Sequence, residues 1–182
     1  MNDQTLNILN DGGVGVLLTD TLYGLVGQAL NKKTVERIYK IKGRDKKKPL
    51  IILISSVEDL KLFGIKINQK TREKLLEFWN QSDPVSIILP CLLRKFAYLH
   101  RGTQTLAFRL IKKKSLIEIL KVVGPLVAPS ANPESSRSAE NIRQAKQYFG
   151  DQVDFYLKGG RPKSKPSKII KIGKGEVVVI RR

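Results

Sequence analysis

Three short stretches of the chain gather groups that can hold charged substrates. In "LLTDTLYGL", residues 17–25, an apolar run ends in Thr19, Asp20, Thr21 and Tyr23: two hydroxyls, a carboxylate and a phenol. Strand ends in α/β sheets are where ligands sit. Asp20 there either orients a basic neighbour or caps a turn. In "KIKGRDKKKPL", six of the nine positions 40–48 are basic. Lys42 offers a point charge and Arg44 a planar fork for two phosphate oxygens, on either side of Gly43. Lys46 and Lys47 read as a solvated face. In "PLVAPSANPESSRSAENI", residues 125–142, Ser130 offers a hydroxyl and Asn132 an amide that can fix a substrate's orientation. Ser138 stands at an expected helix start, where free N–H groups favour anions. Turn and cap duties are the alternative for all three.

The remaining chemistry-bearing residues exclude more than they suggest. No G-x-x-x-x-G-K-S/T run occurs, and "GGVGV" at Gly12 precedes a strand rather than a helix. One histidine, His100, and no G-x-S-x-G elbow argue against a Ser-His-Asp triad. One Cys and one His do not make a usual zinc ligand set. His100 in "YLHRGT" reads as an exposed loop histidine, and Cys91 as a small buried residue. What is left is hydroxyls, amides, lysines and arginines. That set suits phosphoryl or nucleotidyl transfer, which needs charge stabilisation and positioning more than a protein nucleophile.

These groups need a scaffold. The 182 residues suggest one domain, and 41% hydrophobic content fits a globular core. No apolar run approaches the roughly 20 residues that span a bilayer, the N-terminus lacks a signal-like apolar segment, and a lone cysteine fits the cytoplasm. A net charge of +18 predicts polyanionic ligands, against a general lysine-rich bias of the sequence. Helices are expected over 3–9, 33–41, 57–63, 68–79, 114–123 and 138–148. Strands are expected over 14–18, 49–54, 85–89, 105–111, 126–128, 153–157, 169–172 and 177–180. Interleaved helices and fully apolar strands give an α/β class, a twisted sheet with helices packed on it. The closely spaced late strands imply antiparallel pairing and a mixed sheet. "KGGRPKSKPSK", residues 158–168, reads as a mobile loop able to close over a ligand.

"TDTLYGL", "KGRDKKKPLIILI", "DPVSIILP", "LAFRL", "PSAN" and "KPSKII" occur in that order. Together they resemble the YrdC-like domain of threonylcarbamoyl-AMP synthases, over about residues 13–181. The pattern of that family is P-T-D/E-T-x-Y-G-L, K-x-R-P with P-L, W-P-G-P-x-T, V-R, S-x-N and a late S-T. The resemblance implies a single YrdC-like domain over 1–182, in the short form, with a basic concave cleft. It also implies a reaction. The amine of L-threonine takes up bicarbonate or CO2 to give a carbamate, which attacks the α-phosphorus of ATP. Pyrophosphate leaves and L-threonylcarbamoyl-adenylate forms. Other tRNA threonylcarbamoylation proteins then transfer the group to adenosine 37 of tRNA.

The resemblance carries roles onto positions of this chain. Thr19, Thr21, Tyr23 and Arg109 fall at the threonine pocket, Arg109 on the carboxylate. Lys42 and Arg44 match the catalytic K-x-R pair on the ATP phosphates. Lys48, Thr105, Ser130, Asn132, Ser138, Ser167 and Arg181 fall on the ATP side. Mg²⁺ is expected to bridge the phosphates, with no protein-only metal cage. Departures from the pattern are Leu18 and Asp45 in place of prolines, Ser82-Asp83-Pro84 for P-G-P, Leu53 where longer relatives often have histidine, and Lys168 for threonine. A non-catalytic tRNA or double-stranded RNA module using the basic face is the main alternative. A carbamoyl-transfer domain of the hydrogenase-maturation kind ranks behind it.

Overall fold

Apolar strands with no polar alternation need cover on both faces, and the computed structural model supplies it. It describes residues 3–162, 166–173 and 176–181. Among these, the helices are α1 (Asp3–Asn10), α2 (Lys32–Lys42), α3 (Gln69–Trp79), α4 (Ala97–His100), α5 (Lys114–Val123) and α6 (Ile142–Phe149). The strands are β1 (Gly15–Leu18), β2 (Tyr23–Gln28), β3 (Ile51–Ile54), β4 (Val85–Pro90), β5 (Thr105–Leu110), β6 (Leu126–Val127), β7 (Phe155–Leu157), β8 (Lys168–Gly173) and β9 (Glu176–Arg181). They form one mixed sheet in the order β7-β1-β2-β6-β3-β5-β4-β8-β9. β7 runs parallel to β1, β5 to β3 and β8 to β4, while β8 and β9 pair antiparallel. The expected mixed α/β sheet is therefore the observed one.

Alternation along each strand divides the core in two. Val16, Leu25, Ile52, Ile54 and Phe108 join a larger core that includes Val35 and Ile38 of α2, Leu75 and Trp79 of α3, and Phe149 of α6. Leu17, Val26 and Leu53 face a smaller core with Leu9 of α1 and Leu116, Ile119 and Leu120 of α5. Leu53 is wholly buried there. Cys91 is buried too, as expected.

Several expectations are corrected. β2 was not expected: Thr19–Leu22 is the turn of a β1–β2 hairpin, with Leu18 opposite Tyr23. Val57–Phe63 is helical over the expected residues, in 3-10 geometry. The helix expected to start at Ser138 starts at Ile142, because Asn141 is the cap, its side chain accepting from the Gln144 N–H. His100 is buried, not exposed: it closes the single turn of α4, and its Nδ1 accepts from the Gly102 N–H. Residues 163–165, at the centre of the expected mobile loop, lie outside the described residues.

Candidate active site

The β1–β2 hairpin supplies the deep end of the site. The Thr19 hydroxyl donates to Leu22 O (2.8 Å) and accepts from the Thr21 N–H (3.1 Å), so it closes the turn that holds it. The two threonine hydroxyls lie 3.1 Å apart, and both residues are buried. From the other side, the Lys113 ammonium donates to Leu18 O and Thr19 O, at 2.8 and 3.3 Å. Burial lowers its pKa, against the pull of Asp20. Lys113 was not singled out from sequence; only its place between β5 and α5 hinted that it returns to the sheet.

Asp20 orients a basic neighbour. It forms a 2.9 Å ion pair with Arg109 of β5, whose side chain is 5% exposed. Phe108 faces the larger core, so Arg109, next along the strand, faces the opposite side. Burial lowers the Arg109 pKa, Asp20 raises it, and nearby Arg181 lowers it further. Arg109 Nε is buried with no hydrogen-bond partner among the described residues. A buried donor left unmade is costly unless water or a ligand completes it.

The second region is built from two loops. Gly43 caps α2 at φ 62°, a conformation glycine adopts without strain, and this turns the chain into the basic loop. Arg44 Nε and Nη2 donate to Lys48 O (3.1 Å) and Pro49 O (3.2 Å), which sets the guanidinium plane. The loop after β6 passes beside it, starting with Ser130 bridged to Gly24. A Cβ at Gly24 would lie 3.0 Å from Thr19 Cγ2, so the glycine leaves room for the Thr19 side chain. Beneath the Ser130 loop sits Lys42, 3% exposed. Its ammonium donates to Ser130 O (2.7 Å), Asn132 O (2.7 Å) and Asn132 Oδ1 (2.9 Å). Burial, with Arg44 nearby, lowers its pKa to about 8, while Glu134 pulls upward. Asn132 Nδ2 donates to Pro133 O and Ser136 O, so the amide braces its own loop.

These regions enclose a cavity of about 320 Å³. Of the residues singled out from sequence, Thr19, Thr21, Tyr23, Arg44, Arg109, Ser130, Ser138, Ser167 and Arg181 line it. Its described wall holds the guanidinium groups of Arg44, Arg109 and Arg181 and no carboxylate. Leu22, Leu50, Ile51 and Ala128 add an apolar part. Lys42, Lys48, Thr105 and Asn132 are not in the wall. Lys42 and Asn132 lie behind it, Lys48 pairs with Glu134, and Thr105 donates to the Thr103 hydroxyl at the start of β5.

The far wall comes from the end of the chain. Arg181 of β9 donates to Ser167 O through Nε (3.2 Å) and Nη2 (2.7 Å), and the Ser167 and Ser86 hydroxyls lie 2.8 Å apart. Tyr23 Oη donates to Gly160 O (2.7 Å) and accepts from the Gly159 N–H (3.2 Å). The described ends of the 158–168 segment are thus fixed at the cavity, one by Tyr23 and the other, at Ser167, by Arg181 and Ser86. Such a cavity can hold an anion at each guanidinium and orient it with neighbouring hydroxyls.

Comparison with known proteins agrees with this architecture. The sequence model of the Sua5/YciO/YrdC family, described as "Telomere recombination", matches residues 7–182. The chain belongs to that family. It is 30% identical over 168 residues to a threonylcarbamoyl-AMP synthase of Marinobacter nauticus, covering 91% of this chain and 87% of the relative. It is 32% identical over 178 residues to a putative threonylcarbamoyl-AMP synthase of Methanocaldococcus jannaschii, covering 96% and 81%. The crystal structure of P. abyssi Sua5 complexed with L-threonine superposes with a TM-score of 0.84 at 25% identity. It covers 98% of this chain, which spans 52% of the length of that protein.

Proposed function

We propose that this chain forms L-threonylcarbamoyl-AMP and pyrophosphate from L-threonine, bicarbonate or CO2, and ATP, for threonylcarbamoylation of tRNA. The observation that carries the reading is Arg109: a buried guanidinium in the cavity wall, oriented by Asp20 and beside two threonine hydroxyls. A guanidinium so placed can pair with a small carboxylate. The relatives named threonylcarbamoyl-AMP synthase and the threonine-bound Sua5 support threonine as that carboxylate.

In this reading Arg109 holds the threonine carboxylate, and the Thr19–Thr21 turn orients the amine where the carbamate forms. Arg44 and Arg181 face the phosphates and offset the charge that develops on departing pyrophosphate. Ser130, Ser138 and Ser167 orient the nucleotide, while Lys42 and Asn132 hold the Ser130 loop in place. Lys48 acts through its pair with Glu134, and Thr105, bonded to Thr103, takes no direct part in the cavity. Mg²⁺, entering as part of the Mg-ATP substrate, would supply further neutralisation of phosphate charge. Asp20, the carboxylate closest to hand, is committed to Arg109 and fits a guanidinium partner better than a metal. No described helix is long and apolar enough to cross a membrane, and a cytoplasmic enzyme handing its adenylate to other tRNA threonylcarbamoylation proteins fits the reading.

The test is pyrophosphate release from Mg-ATP and bicarbonate with L-threonine, L-serine or no amino acid. Threonine-dependent release is expected; release indifferent to the amino acid would overturn it. The +18 charge favours a second reading, a tRNA or double-stranded RNA module without catalysis. That reading predicts steeply salt-dependent RNA binding and no ATP affinity.

A further inference from the structure

Asp45 stands where the resembled pattern has proline, so this loop carries a backbone N–H that a proline would lack. That N–H is not left to solvent. It donates to Glu134 Oε2 at 2.6 Å, and the other carboxylate oxygen, Oε1, accepts from Lys48 Nζ at 2.6 Å. Residues 45 and 48 are the two ends of one turn, closed by Lys48 N–H to Asp45 O at 3.0 Å. Inside it Asp45 Oδ1 accepts from the Lys47 N–H at 2.9 Å. One carboxylate therefore grips both ends of the turn. Glu134 is itself fixed, because its N–H donates to Lys42 O at 2.8 Å.

We propose that Glu134 is a positioning residue for the ATP side of the site: it clamps the 45–48 turn and so aims Arg44 into the cavity. The linkage is short. The Arg44 guanidinium is held by Lys48 O and Pro49 O, and Tyr39 Oη donates to the same Lys48 O at 3.0 Å. If the turn shifts, the carbonyls that orient Arg44 shift with it. The Lys48 hydrogen bond and the Asp45 N–H both lower the Glu134 pKa, so the clamp stays charged near neutrality. Glu134 touches no reacting atom, and Lys48 serves the nucleotide by bracing the loop through Glu134.

The proposal rests on the ATP reading of the cavity, so its test includes a measurement that does not. Amide hydrogen exchange at Asp45 reports the clamp alone. Mg-ATP and L-threonine affinities, measured separately by calorimetry, report its consequence. Glu134→Ala is expected to speed Asp45 exchange and weaken Mg-ATP about tenfold, with threonine affinity unchanged. Glu134→Gln, which keeps an acceptor for the N–H, falls between. Adding Asp45→Pro to Glu134→Ala removes the N–H that Glu134 no longer holds and stiffens the turn, and restores ATP affinity. Unchanged ATP affinity in Glu134→Ala, equal losses for both ligands, or no recovery with proline would each overturn the proposal. Absence of ATP binding in the unmodified protein, with Asp45 still protected, would count against the ATP reading rather than the clamp.

Discussion

The two ends of the cavity are built on different terms. At the hairpin end, Thr19, Thr21 and Arg109 are buried and Asp20 is partly so, and a cation on one strand is locked to an anion from a turn 89 positions away. At the loop end, Arg44 is half-buried and held by backbone carbonyls, and the loop is tied down by Lys42 and Glu134. The first arrangement suits a small ligand of fixed shape, because a desolvated site makes each charge contact stronger and excludes water. The second suits a large, polyanionic ligand that must enter and leave along an open rim. Selectivity should reside at the hairpin, and the capacity to hold phosphate in the loops.

Breaking the buried end should have the largest effect. Arg109→Ala leaves Asp20 buried without its guanidinium, and loss of one partner of such a pair costs about 3–5 kcal/mol. Denaturant unfolding should show that loss, and threonine use should fall further than ATP use. Arg44→Ala sharpens the contrast from the other end. It removes a half-buried charge-assisted contact worth on the order of 1.5–3 kcal/mol, so the KM for ATP rises while unfolding midpoint and threonine KM stay near the unmodified values.

Lys42 gives a smaller, pH-dependent effect. Its folded pKa is lowered from 10.5 to about 8. Between those values the unfolded chain binds a proton the folded chain has released, so the contribution of Lys42 makes stability rise with pH through that window. Below it both states are charged, and the cost of burying the ammonium is full. NMR titration of the Lys42 side chain should place its midpoint near 8 and move it upward in Arg44→Ala, which removes a repelling charge. The smallest effect is expected at the half-exposed Arg37–Asp154 pair, remote from the cavity wall. Arg37→Ala should cost about 1 kcal/mol or less and leave both KM values unchanged.

Local chemistry made much of this molecule legible in sequence. The apolar period of α5 and the glycine after Val123 gave that helix its observed ends, and the apolar runs of β3 and β4 announced a sheet covered on both faces. Where two residues could do the same local job, sequence could not choose: Ser138 and Asn141 are both competent caps, and only packing put Asn141 at the helix start. β2 was missed because Thr19–Leu22 reads as the end of a strand, while its role as a hairpin turn depends on the glycine-containing run that follows pairing back. For the site, residue types at strand ends and in the basic loop pointed to the cavity wall. The contacts that set its geometry were not legible. Arg109 to Asp20, Lys113 to Leu18 and Glu134 to Asp45 each join segments far apart in sequence, and each depends on strand register and order. Lys42 shows the same limit, since its charge was evident but its burial beneath the Ser130 loop was not.

The most direct test of a two-ended site is to measure threonine-dependent pyrophosphate release in Arg109→Ala and Arg44→Ala, varying threonine and ATP in turn. A reciprocal pattern is predicted, with the threonine KM rising chiefly in Arg109→Ala and the ATP KM chiefly in Arg44→Ala. If both variants lose both substrates to the same degree, or if the assignments are reversed, the division of the cavity described here is wrong.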